Sequence, residues 1–421
     1  MNVIEKKPFF TEDWTAVALG IGIILVALAG LPIAIPSYSW ASASDLSGKI
    51  LAGANLWKML LLSASMLLVA VLGALLFNKP VPSLLTAFPI VLFISIMAIV
   101  LAGNSQVKSL NLEAVIFSLG LGLLISNFFT LPDWFRQALS TELYVKIGLV
   151  IIGASVIFSD ILKAGSYGLI QALIVVLSVW YFAFWICKKL GVDEEMRMMI
   201  SSAVSICGVS AAIATAGAIK GDTKKLSYVI SLVLVTAIPM MIFMPVLAKW
   251  MHLSEAVTGA WLGGSIDTTG AVVASGTLVG EEALKISTIV KFSQNVLLGI
   301  AAFAISIYWT YTRKQPTEGV VIEKPTLGVI WERFPKFVIG FIGASMLFSF
   351  FIQPETIAKV KEPLKQVQNL WFVLAFTSIG LETKFSDLFH QDNRKPLYGF
   401  LIAQLFNVIV TLIVARILFG A

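Results

Sequence analysis

"GGSIDTTGAVVASG", residues 263–276, is the stretch whose reading decides the fold. It holds four glycines, four hydroxyl residues and one carboxylate, Asp267, inside a chain that is otherwise strongly apolar. Gly costs roughly 1 kcal/mol per helix-interior position relative to Ala, and an acid within a membrane helix is costlier still. A second stretch of the same character, "SICGVSAAIATAGAIKG", spans 205–221. Both are long enough to enter a membrane, and neither reads as an ordinary helix.

The surrounding composition fixes the solvent. Hydrophobic residues make up 58% of the 421, charged residues 13%, and mean hydropathy is +0.91. A soluble domain carries about 25% charged residues. Apolar runs of about 18 to 25 residues recur along the chain, the length that crosses a hydrocarbon core. This predicts an all-α polytopic membrane protein with about 11 to 13 membrane segments. They are placed near 14–36, 57–77, 82–103, 111–130, 144–160, 166–188, 196–219, 225–250, 256–278, 283–311, 333–352, 367–383 and 396–419. A membrane barrel would show short alternating segments instead. Lys6 and Lys7 before the run Trp14–Pro36, with "ASAS" at 41–44, imitate a signal peptide. The run is about twice as long as such a signal's apolar region, so it reads as a retained first helix.

The whole chain, 1–421, reads as one integral membrane domain. Residues 1–110 form peripheral N-terminal helices, and 111–311 hold a first repeat and the core with the weak segments 196–219 and 256–278. Residues 312–332 form a polar loop, and 333–421 are C-terminal helices that repeat 144–188. The repeat rests on "IGASVIFSDIL" at 152–162 and "IGLETKFSDLF" at 379–389. Duplication, here expected to be inverted, is a common basis of alternating-access transporters. Lys188, Lys189, Arg197, Arg313, Lys314, Lys384, Arg394 and Lys395 fall on the same side as Lys6 and Lys7. Basic loops stay inside, which places the N-terminus in the cytoplasm of a bacterial inner (plasma) membrane protein.

Several functions are disfavoured. Cys187 and Cys207 lie in apolar surroundings, and His252 and His390 are far apart; none has metal-ligand spacing. The net charge of +6 is spread over many loops, unlike a nucleic-acid patch. The chain has no P-loop and no HExxH or GxSxG set, so neither an ATP motor nor an enzyme is expected, and no cofactor.

Paired Gly-interrupted segments are the sequence pointer to a transporter's site. A helix broken at membrane depth exposes N–H groups at the start of its second half, and these favour an anion. The expected substrate-binding residues are therefore Ser205, Gly208 and Ser210 meeting Ser265, Thr268 and Thr269. The bland alternative is close helix packing through small residues. Asp267 is the expected ion-coupling residue, Lys291 its possible charge partner or a snorkelling cation, and Glu113 a further candidate or merely a first-turn acid. The expected partners are a small anion, a coupling proton or sodium ion and the lipid bilayer; a homodimer is compatible with this reading.

The same residues resemble a known family. "SICGVSAAIATAGAIKG" is similar to the "SICGASAIAA…PVIKA" signature of the YeiH-type sulfate exporter family of bacterial membrane transporters. "GAWLGGSIDTTGAVVASG" at 259–276 resembles that family's "GLWLGASVHEVAQVVAAG", and "IVKF" at 289–292 its "IVKL". "PKFVIGFI" at 335–342, "TSIGLETKFSDL" at 377–388 and "LEAVIFSLGLGLLISN" at 112–127 continue the likeness in order, from about residue 110 onward. The resemblance implies a secondary transporter with inverted repeats, distantly like cation/proton antiporter and bile-acid symporter folds, exporting a small anion, with sulfate as the family's substrate. This chain departs from the pattern where the family has His-Glu or His-Asp and the chain has Asp267-Thr268. It departs again where the family has Arg and the chain has Gln294. A His titrates near neutral pH and a free Asp at about 3.9. Both departures remove cationic character, which weakens the case for a dianion. The alternative is a monovalent cation/proton antiporter using Asp267.

Overall fold

The computed structural model describes residues 10–31, 33–109, 113–312, 328–383 and 394–420. Among them the protein is helical throughout, with an isolated bridge between Trp40 and Asn104 as its nearest approach to a strand. It is a polytopic membrane protein. Seven helices are long and apolar enough to cross a bilayer, and four shorter apolar helices accompany them. Of the remaining expected segments, 367–383 lies at the end of a 29-residue helix, and the others are shorter or interrupted.

The chain divides into two compact units, neither continuous in sequence. The first comprises residues 1–158 and 336–384, the second 159–335 and 385–421. The first unit holds α1 (Glu12–Leu28), α2 (Gly53–Leu76), α3 (Val81–Ala102), α4 (Ala114–Phe128) and α5 (Thr141–Ile152). Helices α13 (Phe337–Met346) and α14 (Pro354–Glu382) belong to it as well. Its centre is α5, in which Ile147, Leu149 and Val150 have no exposed surface. Gly122 and Gly380 let α4 and α14 touch backbone to backbone: a Cβ on Gly122 would stand 2.5 Å from Thr377 O, and one on Gly380 2.6 Å from Leu119 O. Small residues allow such approach where lipid supplies no hydrophobic drive between helices. At one end, Lys146 of α5 pairs with Glu12 at 2.6 Å and Asp13 at 3.0 Å, which ties α1 to α5.

The second unit holds α6 (Phe158–Lys189, except its first residue), α7 (Glu194–Ser202), α8 (Val209–Ile219) and α9 (Thr223–Trp250). It continues with α10 (Glu255–Ser265), α11 (Thr269–Val279), α12 (Glu281–Thr312) and α15 (Lys395–Phe419). Helix starts are capped as their sequences dictate. Asp193 accepts from Met196 N, Asp222 from Lys224 N and Lys225 N, and Ser254 from Val257 N, each satisfying orphan donors of a first turn. Lys225 bridges to Asp193 at 2.7 Å and Glu195 at 3.2 Å, joining the starts of α7 and α9.

The first copy of the sequence repeat covers the end of α5, a 3-10 turn at Gly153–Ser155 and the start of α6. The second copy can be followed to Thr383; residues 384–389, and with them Lys384 and Asp387, lie outside the described residues, as do His390 and most of the polar loop 312–332.

Candidate functional site

Both weak segments are broken helices of the second unit. In the first, α7 loosens into a π-helical turn, Ala203–Cys207, and Gly208 ends that turn and caps the start of α8. Gly208 has φ +59° and ψ −113°, a conformation that side chains rarely adopt. A Cβ there would stand 2.7 Å from Val233 Cγ1 and 3.1 Å from Asp267 Cβ. The glycine is thus required twice, for its dihedrals and for the contact between the two breaks.

In the second, α10 stops at Ser265, Ile266 is extended, and Thr268 is the N-cap of α11. Its hydroxyl accepts from Ala271 N at 3.3 Å. The glycines around this break have a separate task. Cβ atoms on Gly259 and Gly263 would stand 2.7 Å from Ala283 O and 2.5 Å from Ser287 O of α12, and one on Gly276 2.6 Å from Ser287 Oγ. These i, i+4 glycines serve close packing, while Ile266–Thr268 makes the break. Close packing and interruption thus both occur in the stretch, at different residues.

The breaks bring four half-helix ends together, and the ends are sorted by charge. The carbonyl ends of the first halves are buried and capped by side chains. Lys291 Nζ of α12 donates to Ile206 O at 2.8 Å, Ile266 O at 2.9 Å and Gln294 Oε1 at 3.0 Å. An ammonium has three donors, and all three are committed. Gln294 Nε2 donates to Gly264 O at 3.0 Å and Ser205 O at 3.4 Å. From α15, Gln404 Nε2 donates to Ser265 O at 2.8 Å, and Asn407 Nδ2 to Val204 O at 3.0 Å and Ser265 O at 3.1 Å. Thr411 holds Asn407 in place through its Oδ1 at 2.9 Å. A helix C-terminus carries about half a negative charge, so one buried cation shared between two such ends meets a matched demand.

The amide ends of the second halves behave differently. The N–H groups of Val209, Ser210 and Ala211 have no hydrogen-bond partner among the described residues. Ser210 is exposed, and Thr268 and Thr269 are half-buried, so these ends open outward from the unit.

The six hydroxyl and glycine positions expected from sequence fall into two groups. Gly208, Ser210, Thr268 and Thr269 stand at the amide ends. Ser205 and Ser265 stand at the carbonyl ends, where Ser205 Oγ donates to Ser201 O of its own helix at 2.7 Å. Asp267 is 1% exposed, and neither carboxylate oxygen has a hydrogen-bond partner among the described residues. Lys291 is also 1% exposed; it does not snorkel, and its hydrogen bonds go to the carbonyls while its charge attracts Asp267 through space, without a direct contact. Glu113 lies in the first unit, exposed at the N-cap of α4 and with no capping bond, so it is not among the groups gathered at the breaks.

Gln404, Asn407 and Thr411 were not singled out from the sequence. Their spacing of three and four puts them on one face of an apolar helix, and that polar stripe was the available signal. Gln171 of α6 adds to the same region, its Nε2 donating to Ala260 O at 2.8 Å.

A family profile described as "Conserved hypothetical protein 698" matches residues 86–399, a span that contains both breaks. The chain belongs to the UPF0324 membrane protein family. It is 40% identical over 354 residues to a UPF0324 membrane protein of Rhodopirellula baltica, covering 81% of this chain and 64% of the relative. It is 36% identical over 377 residues to one of Nitratidesulfovibrio vulgaris, covering 85% and 64%, and 28% identical over 331 residues to another from that organism, covering 78% and 91%. The chain thus spans just under two thirds of the length of the first two relatives. No solved structure matches it.

Proposed function

We propose that this UPF0324 member is a secondary active transporter of a small inorganic or organic anion, working by alternating access in the bacterial inner membrane with its N-terminus inside. One observation carries the reading: the N–H groups of Val209, Ser210 and Ala211 have no partner among the described residues and Ser210 is exposed, with Thr268 and Thr269 half-buried at the other amide end, while the carbonyl ends are buried and capped by Lys291. Such an end is a ready anion site, and irregular backbone at membrane depth is tolerated where it faces protein or a water-filled cavity. The hydroxyls of Ser210 and Thr269 add donors without bulk. The task is binding and translocation, without covalent chemistry.

Sulfate is the substrate implied by the family resemblance. Lys291 offers an anion no free N–H, because its three donors are occupied. A monoanion, or a dianion accompanied by a cation, suits this site better than a bare dianion. A second reading, a monovalent cation/proton antiporter, draws on the unpartnered carboxylate of Asp267.

The test is uptake into proteoliposomes against a panel of oxyanions under sodium or proton gradients. Anion-dependent flux is expected. Cation flux that ignores every anion favours the antiporter, and transport unaffected by Ser210→Ala with Thr269→Val puts the anion elsewhere.

A further inference from the structure

Four side chains near the second break share one property. Ser265, Asp267, Asn295 and Gln404 are 0%, 1%, 5% and 5% exposed. In each, the side-chain oxygen is without a hydrogen-bond partner among the described residues: Ser265 Oγ, both oxygens of Asp267, Asn295 Oδ1 and Gln404 Oε1. The same holds for Gln171 Oε1, whose side chain lies beside Gly264. Buried polar atoms are ordinarily paired, so five bare oxygens around one stretch of five residues need an explanation.

Their placement is held by the other end of each amide. Gln404 Nε2 is fixed on Ser265 O at 2.8 Å, and Asn295 Nδ2 on Thr269 Oγ1 at 3.3 Å. A carbonyl can only accept, so the Gln404 nitrogen must face Ser265 O and its oxygen must face away from it. Asn407, one turn along α15, is the contrast: its nitrogen and its oxygen are both bonded. Two amides thus bracket residues 265–269 from α15 and α12 and leave their oxygens unpaired among the described residues, with the Gln404 side chain a neighbour of the Asp267 carboxylate. Lys291, the other buried charge of this unit among the described residues, is committed to the carbonyls of Ile206 and Ile266.

We infer that Ser265, Asp267, Asn295 and Gln404 form a binding site for a monovalent alkali cation of the sodium class. An all-oxygen donor set suits a hard cation. One formal negative charge suits a single positive one, and among the described residues no group of three or more His, Cys, Asp or Glu side chains offers more. Broken-helix sites in transporters hold sodium through such oxygens.

The site deepens the transport reading and rests on it for its purpose. Asp267 directly precedes Thr268, the cap of the anion-facing end of α11. Its bare charge repels an anion there; a cation held by Asp267 removes that repulsion. Cation and anion then favour each other's binding, by the same factor in both directions.

The cation site can be tested without transport. The purified protein in detergent, at constant ionic strength, is titrated with sodium chloride against choline chloride, following the thermal unfolding midpoint and the binding of radioactive sodium. Saturable sodium binding is expected, with a midpoint that climbs as sodium rises. Asp267→Asn abolishes both, and Ser265→Ala, which keeps the backbone carbonyl, weakens binding severalfold. No saturable difference between sodium and choline in the wild-type protein overturns the inference, as does sodium binding that survives in Asp267→Asn. Sodium binding without any anion flux in proteoliposomes keeps the site and defeats the transport reading. Anion flux driven by protons alone, with no sodium binding, does the reverse.

Discussion

The break after Cys207 turns on one glycine at φ +59° and carries no charge, whereas the break after Ser265 runs through extended residues and carries Asp267. The first has no capping side chain at its amide end; the second has Thr268. Yet both carbonyl ends use the same caps, Lys291, Gln294 and Asn407. The shared half of the arrangement is structural and the differing half is chemical. A membrane interior must satisfy carbonyls wherever a helix stops, so the capping is common to both. What the open amide ends meet is free to vary, and there the two breaks diverge.

That comparison predicts unequal effects. Gly208→Ala forces a Cβ into both Val233 and Asp267 from a strained backbone. Strain and overpacking each cost about 1–3 kcal/mol. Little folded protein is expected, read as a collapse of the thermal midpoint in detergent. Lys291→Met leaves the carbonyls of Ile206 and Ile266 uncapped, at about 1–3 kcal/mol for a buried unsatisfied group. It should lower the midpoint clearly, and retention of full stability would break the claim that the lysine is a shared cap.

Asp267→Asn separates the two breaks most sharply. Among the described residues no close hydrogen bond reaches the carboxylate, so stability should hold, while gradient-driven transport falls roughly tenfold or more, the scale of losing one charged interaction. Normal gradient-driven flux in this variant would remove Asp267 from the mechanism. Thr268→Val should cost about 1 kcal/mol, the scale of an N-cap, whereas Ser210→Ala should leave the midpoint unchanged and weaken anion affinity only.

The smallest effect concerns Asp222, which caps α9. Hydrogen bonds from Lys224 N and Lys225 N hold its carboxyl below the ordinary carboxylate range. A depressed value in the folded state means that its contribution is complete above the unfolded value and is lost as pH falls through the folded one. Asp222→Ala should therefore narrow the gap to wild type on acidification, in melting curves taken from neutral to strongly acid pH.

Much of the helix plan was legible in the chain. Apolar runs near bilayer length mark α2, α3, α6, α9, α12 and α15 directly, because lipid forces the backbone to satisfy itself within each segment. The two weak segments were legible as well, since Gly, Ser and Thr at membrane depth oppose a continuous helix. The glycines misled in one respect: Gly263 and Gly276 looked like part of the break and are contact points on α12. Composition cannot separate a glycine needed for its dihedrals from one needed for its size.

Sequence by itself determined a membrane chain with two interrupted helices and an acid in one of them. Only the tertiary structure decided that Lys291 caps backbone carbonyls, and that Ser205 and Ser265 stand at the carbonyl ends while Ser210, Thr268 and Thr269 stand at the amide ends. Only the folded chain shows that Gln404 and Asn407, far along the sequence on α15, cap the carbonyl ends at the breaks. The reason is physical. Interruption is a local property of residue types, but the partner of a buried charge is set by which half-helix ends the packing brings within three ångströms of it.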